Sequence, residues 1–126
     1  MRGMRFGVWV PNVRHLATPA IIRATAVRAE ALGYDSVWVS DHVVVPHANV
    51  KNFGETVYDP LITLGVIAGA TSRVQLGTTV LIVPYRNAVV TAKMVSTQPA
   101  SCSASAPAGS RRRATRSACR SRSAAR

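Results

Sequence analysis

Acid is what this chain has least of. Five Asp and Glu stand against 16 Lys and Arg in 126 residues, a formal net charge of +11. Such an excess on a small chain points to an anionic partner, nucleic acid or a membrane surface, unless it is confined to one end. It is confined: residues 1–98 hold nine basic and five acidic residues, a net of +4, whereas residues 99–126 hold seven arginines and no acid. Cysteine is scarce too. Cys102 and Cys119 both fall in that last stretch, so the first 98 residues carry no disulfide framework and no cysteine spacing for a metal. No apolar run approaches the ~20 residues of a membrane span, and no signal-peptide core with a small-residue cleavage site opens the chain. The expectation is a soluble, cytoplasmic protein of one domain.

What is there is an alternation of strands and helices. Arg5 to Val10 is rich in β-formers and stops at Pro11, which has no N–H for a ladder. Pro11 to Thr18 is long for a βα connection, and such loops often carry function; His15 within it reads as a solvated residue. Thr18 and Pro19 form a cap followed by proline at the first helical position. The helix places Ala20, Ala24, Val27 and Ala31 on one apolar face, with Arg23, Arg28 and Glu30 largely off it. Gly33 is placed to end it in a left-handed conformation. Ser36 to Ser40 is then the second strand, with Asp41 and His42 just past its tip.

After Val43-Val44-Val45-Pro46 a polar loop runs to Tyr58, a candidate lid or substrate wall and equally a plain surface excursion. Asp59 and Pro60 repeat the cap-then-proline start, and Leu61 to Ala70 is apolar nearly all round, as in a covered helix. Val74 to Val83 is the third strand, with a bend or bulge expected at Gly77, and a further helix spans about Ala88 to Thr97. Such repeats make a parallel sheet covered by helices. An open doubly wound sheet would usually carry a glycine-rich phosphate loop after the first strand; Pro-Asn-Val-Arg stands there instead, which favours a (β/α) barrel. In either fold the strand tips are where chemistry sits. On its own, an Asp-His pair after a strand reads as a turn cap more readily than as a catalytic pair.

Four segments in register change that balance: Phe6 to Pro11; Ala29 to His42; Asp59-Pro60-Leu61; and Arg73 to Val80 with Pro84-Tyr85-Arg86-Asn87. Over residues 4–97 the chain resembles the luciferase-like monooxygenase superfamily, and within it the branch dependent on the deazaflavin coenzyme F420. The resemblance implies a TIM-type (β/α)8 barrel holding F420, or alternatively FMN as a flavoprotein monooxygenase using O2, at the carboxyl ends of the strands. It implies Asp41 hydrogen-bonding beside the cofactor, His42 as acid/base, and a cis peptide at Thr79-Val80 backing the ring. It also implies a small-molecule substrate and often a homo-oligomer. Hydride transfer asks the protein to hold a flat ring and manage one proton, and a histidine beside a carboxylate suits the second task. Trp9 and Trp38 read as barrel filling or helix-facing core, and Arg86 as a solvated arginine rather than a phosphate ligand.

A full barrel takes about 250 residues, so these residues read as its first three or so βα units, an incomplete barrel with open strand edges, little activity of its own and a tendency to aggregate. The resemblance stops after Thr97. The rest, an expected disordered tail, uses almost only Ala, Ser, Pro, Gly, Thr, Arg and Cys, which is what GC-rich codons yield out of frame. Shifted by one base, residues 100–110 permit Gly-Val-Val-Leu-Gly-Val-Gly-Ala-Gly-Trp-Leu, the family's fourth strand and the turn after it. A basic tail that binds nucleic acid is the lesser alternative, since no aromatic residue is interleaved for base stacking. Sequencing the coding DNA around Thr97 is expected to show the shifted frame open and spelling that strand; stop codons in it would refute the reading.

Overall fold

The computed structural model describes residues 4–98, and the expectations for the tail lie outside them. Within those residues three short strands form one parallel sheet in the order β1-β2-β3: β1 (Gly7–Trp9), β2 (Ser36–Val39) and β3 (Gln75–Thr78). The register runs Gly7, Ser36 and Gln75 side by side, then Val8, Val37 and Leu76, then Trp9, Trp38 and Gly77. The ladder continues a residue beyond the strands, through Val10 N–H to Trp38 O (2.8 Å) and Thr79 N–H to Val39 O (2.9 Å). Four helices connect and flank the strands: α1 (Pro19–Ala31), α2 (Val50–Phe53), α3 (Pro60–Ala68) and α4 (Ala88–Thr97).

Alternation along the strands divides the sheet into two faces. Val10, Val37, Val39 and Leu76 point to the face covered by α1 and α3, where they form a core with Ile22, Ala26, Ala29, Leu64, Ile67 and Val74. Each large aliphatic side chain fully buried there contributes about 1.5–3 kcal/mol. The other face carries Gly7, Trp9, Ser36, Trp38, Ser40 and Thr79. No helix among the described residues packs on it, and Trp9 is 43% exposed. The tryptophans therefore belong to the face that would look into a barrel, and not to the helix-packed core. Their indoles lean in opposite directions along the strands, Trp38 Nε1 donating to Ser36 Oγ (2.9 Å) and Trp9 Nε1 to Ser40 Oγ (3.0 Å). Gly7 makes room for Trp38: a Cβ there would stand 2.5 Å from the indole Nε1.

The helix starts are as the sequence implies. Thr18 Oγ1 accepts from Ile21 N–H, and Asp59 Oδ1 accepts from Leu61 and Ile62 N–H (2.9 and 3.1 Å), each with proline following. Asn87 caps α4 in the same manner, accepting from Val89 and Val90 N–H. Gly33 takes φ +83, the left-handed stop expected after α1.

Several details differ from expectation. The buried stripe of α1 is Ile22, Ala26 and Ala29, while Ala20, Ala24, Val27 and Ala31 are exposed. The helix is apolar round most of its circumference, so periodicity admits more than one stripe, and docking on the sheet selects the one through Ile22 and leaves Ile21 exposed. Gly77 forms no bulge, lying in register beside Trp38. β3 ends at Thr78 rather than Val83, because the chain beyond Thr79 finds a different acceptor, described below. The polar loop before Tyr58 contains a 3-10 turn (His47–Asn49) and α2, and Val57 bridges Val13. No cis peptide bond occurs among the described residues, so Thr79–Val80 is trans. A non-proline cis bond costs about 3–4 kcal/mol and survives only where packing imposes it; Val80 is 52% exposed, and nothing there imposes it.

The rotation of α1 is pinned at its far end by Glu30. Its carboxylate gathers the backbone N–H groups of Ser72, Arg73 and Val74 at 2.9, 2.6 and 2.9 Å, just before β3. The bonds from Val74 and then Arg73 hold the Glu30 pKa below its ordinary value, against a small opposing effect of burial. A carboxylate whose pKa falls on folding stabilises above its unfolded pKa and loses that contribution as pH drops through its folded one. Glu30→Gln is therefore expected to lower the Tm of the full chain by a few degrees at neutral pH. The gap from wild type should narrow as pH falls below the ordinary glutamate range, in melts followed by circular dichroism.

Candidate active site at the strand tips

Parallel pairing of Val39 with Thr78 brings the residues that follow, Ser40 and Thr79, together at the same end of the sheet. Their hydroxyls lie 3.2 Å apart, and Ser40 Oγ also receives the Trp9 indole N–H, so the tips of all three strands join through side chains on the uncovered face. Thr79 is anchored further by Oγ1 to Val39 O (3.2 Å). The result is a level patch of two hydroxyls and an indole edge. Beside it a cavity of about 400 Å³ is lined by Trp9, Pro11, Val13, Arg14, His15 and Leu16. Arg14, at φ +72, holds a left-handed conformation uncommon outside glycine, with its N–H on Thr56 O; a Cβ at Gly54 would stand 2.8 Å from its Cα. The loop after β1 is thus fastened to the segment before α3.

Asn12 makes that fastening complete. It is fully buried; Oδ1 accepts from Ser40 N–H (2.9 Å), and Nδ2 donates to Ser40 O (2.7 Å) and Tyr58 O (3.1 Å). Its own carbonyl accepts from Tyr58 N–H (2.9 Å). A single amide thereby sets the height of Ser40 against β1 and the α3 approach. Sequence reading passed over Asn12; the only signal was a polar residue directly behind the proline that ends β1.

Asp41 follows Ser40 and turns the other way, beneath the rim. Its side chain is fully buried. Oδ2 accepts from Ile82 N–H (2.8 Å) and Arg86 Nε (3.2 Å), and Oδ1 from Arg86 Nη2 (2.9 Å). Arg86 Nη2 also donates to Asp59 Oδ2 (2.9 Å), the oxygen that does not cap α3. Arg86 is therefore not a solvated arginine: its side chain is 13% exposed and held in a fork between two carboxylates. Burial opposes its charge, but the bonds to Asp41 and Asp59 prevail and raise its pKa above the ordinary arginine value. His42 is half-buried on the rim. Asp41, His42, Thr79 and Val80 thus converge at one end of the sheet; His15 lines the neighbouring cavity at the same end. Among the described residues no group of His, Cys, Asp and Glu is arranged to hold a metal, and no helix is long and apolar enough to cross a membrane.

A parallel βα sheet with its polar side chains gathered at the carboxyl ends is the arrangement of barrel enzymes. The family model of the luciferase-like monooxygenases matches residues 4–97, and the chain belongs to that family. The F420-dependent glucose-6-phosphate dehydrogenase of Kineococcus radiotolerans is 44% identical over 63 residues, which are 50% of this chain and 18% of that protein. Among solved structures, an F420-dependent secondary alcohol dehydrogenase in complex with an F420-acetone adduct matches with a TM-score of 0.61 at 26% identity. That match covers 76% of this chain and 28% of the dehydrogenase. The chain thus spans less than a third of either relative.

Because Asn12 satisfies three backbone groups at once, Asn12→Ala is expected to cost about 2–4 kcal/mol of stability, the penalty for leaving buried groups unpaired. Urea unfolding of the full chain measures it.

Proposed function

We propose that this chain carries the strand-tip floor of an F420-dependent oxidoreductase, in which hydride passes between the deazaflavin and the carbinol or carbonyl carbon of a small organic substrate. The observation that carries the reading is the joining of Ser40, Thr79 and Trp9 into one level, hydrogen-bonding patch on the sheet face that no helix covers. That patch suits a flat, polar-edged ring: the indole offers an apolar edge, and the two hydroxyls, their protons committed to Val39 O and to the contact between them, each keep a lone pair to accept at the ring's rim. Both relatives described above bear F420 in their names, which favours the deazaflavin over FMN.

When bound, the deazaflavin supplies the hydride chemistry. The chain's own residues do the rest. Ser40 and Thr79 hold the ring's polar edge, with Val80 beside them. His42, on the rim, takes the proton from a substrate hydroxyl or returns it to a carbonyl oxygen. Asp41, with no exposed side-chain surface, serves the cofactor from beneath by fixing the turn that carries His42 and the backbone at Ile82. The cavity beside Trp9 leaves room next to the ring for the substrate.

Titrating the full chain with F420 should quench the coenzyme's fluorescence saturably, and an equal concentration of FMN should not displace it. Thr79→Val, which removes one hydroxyl from the patch, is expected to weaken binding about tenfold, the equivalent of one hydrogen bond. His42→Ala should leave the affinity within about twofold while abolishing any turnover of a secondary alcohol. No quenching at high F420 concentration would overturn the proposal, and ready displacement by FMN would replace it with the flavin-dependent one.

A further inference from the structure

We infer that Arg86 is the positioning residue of this site: its guanidinium locks the Asp41–His42 turn to the segment after β3, and so holds the Ser40–Thr79 floor level. The cofactor part of this inference rests on the function proposed above; the structural part does not.

Three segments far apart in sequence meet at this one side chain. Arg86 itself follows β3, Asp41 follows β2, and Asp59 opens α3. Each carboxylate also has backbone work of its own. Asp59 Oδ1 caps α3, leaving Oδ2 for Arg86, and Asp41 Oδ2 holds Ile82 N–H besides Arg86 Nε. A pairing that served only to neutralise a buried charge would need one carboxylate for one cation. Here one cation is divided between two, through three hydrogen bonds from a planar fork, which is a geometric function that a lysine's point charge does not reproduce. The consequence reaches the site through the backbone. Ile82 lies three residues past Thr79, and Asp41 one residue past Ser40, so the Asp41–Ile82 bond closes a short loop around the Ser40–Thr79 hydroxyl contact. If Asp41 swings away, that loop opens, and the two hydroxyls and His42 lose their common reference.

The test uses the full chain with Arg86→Lys and Asp59→Ser. The serine hydroxyl keeps the α3 cap, removes the second carboxylate without turning a donor toward Arg86, and leaves the bonds from Arg86 to Asp41 in place. In the wild type, the Arg86 Nε–H proton is expected to exchange at least tenfold more slowly than those of the exposed Arg23 and Arg28 in nitrogen-edited NMR spectra. Arg86→Lys should move the amide resonances of Ile82 and His42 and weaken F420 binding at least tenfold. Asp59→Ser should lower Tm yet leave the Ile82 amide in place and F420 affinity within about twofold. Exchange at Arg86 as fast as at Arg23 overturns the inference, as does equal loss of F420 affinity in the two variants at matched stability. Should Arg86→Lys not fold, the exchange measurement on the wild type decides. Should the wild type not bind F420, the proposed function falls, while the Ile82 amide and Arg86 exchange still decide the role of Arg86.

Discussion

A carboxylate with no exposed surface has to be neutralised where it stands, and much of this structure follows from how Asp41 meets that requirement. Its partner comes from 45 residues further on, in the turn after β3. To bring Arg86 within reach, the chain leaves the sheet after Thr79, gives the Ile82 N–H to the carboxylate instead of to a ladder, and makes a 3-10 turn at Val83–Tyr85. The early end of β3 and the burial of Asp41 are one event. The same guanidinium reaches Asp59, so the start of α3 is registered against the tips of β2 and β3.

The two ends of the sheet are fastened by different means. At the amino ends Glu30, on α1, gathers three consecutive backbone N–H groups ahead of β3 with a half-buried carboxylate. At the carboxyl ends Asn12 and Asp41 do comparable work while buried, with every bond directed to a backbone group or to Arg86. A neutral amide and a paired acid tolerate full burial; a carboxylate bonded only to backbone N–H groups serves where water still has access. The uncovered face between these ends holds small and polar residues with two tryptophans, in contrast to the aliphatic face under α1 and α3. A sheet packed by helices on one side and looking into a barrel on the other has this composition.

The architecture was legible in the residues because its signals are local. Thr18-Pro19 and Asp59-Pro60 mark helix starts through bonds within one turn, and Gly33 marks a stop through its own backbone. Strand positions were legible too, though β1 and β3 are shorter than their apolar runs. The face of α1 was not, since a helix with Ala, Ile and Val nearly all round offers no unique stripe until the sheet selects one. Gly77 looked like a bulge and lies in register. Among the site residues, the placing of Asp41, His42, Thr79 and Val80 at one rim was readable from family pattern and strand order. The fork at Arg86 and the amide of Asn12 were not, because each joins residues 27 to 46 positions apart.

By itself the sequence determined the order of elements, their caps and the parallel pairing, since each depends on preferences of neighbouring residues and on the length of chain between strands. Only the tertiary structure decided which face of α1 is buried, that Asp41 points beneath the rim while Ser40 points above it, and that Arg86 is shared instead of solvated. Those outcomes turn on burial. A charge or an apolar stripe has no fixed cost until the rest of the fold determines whether water reaches it.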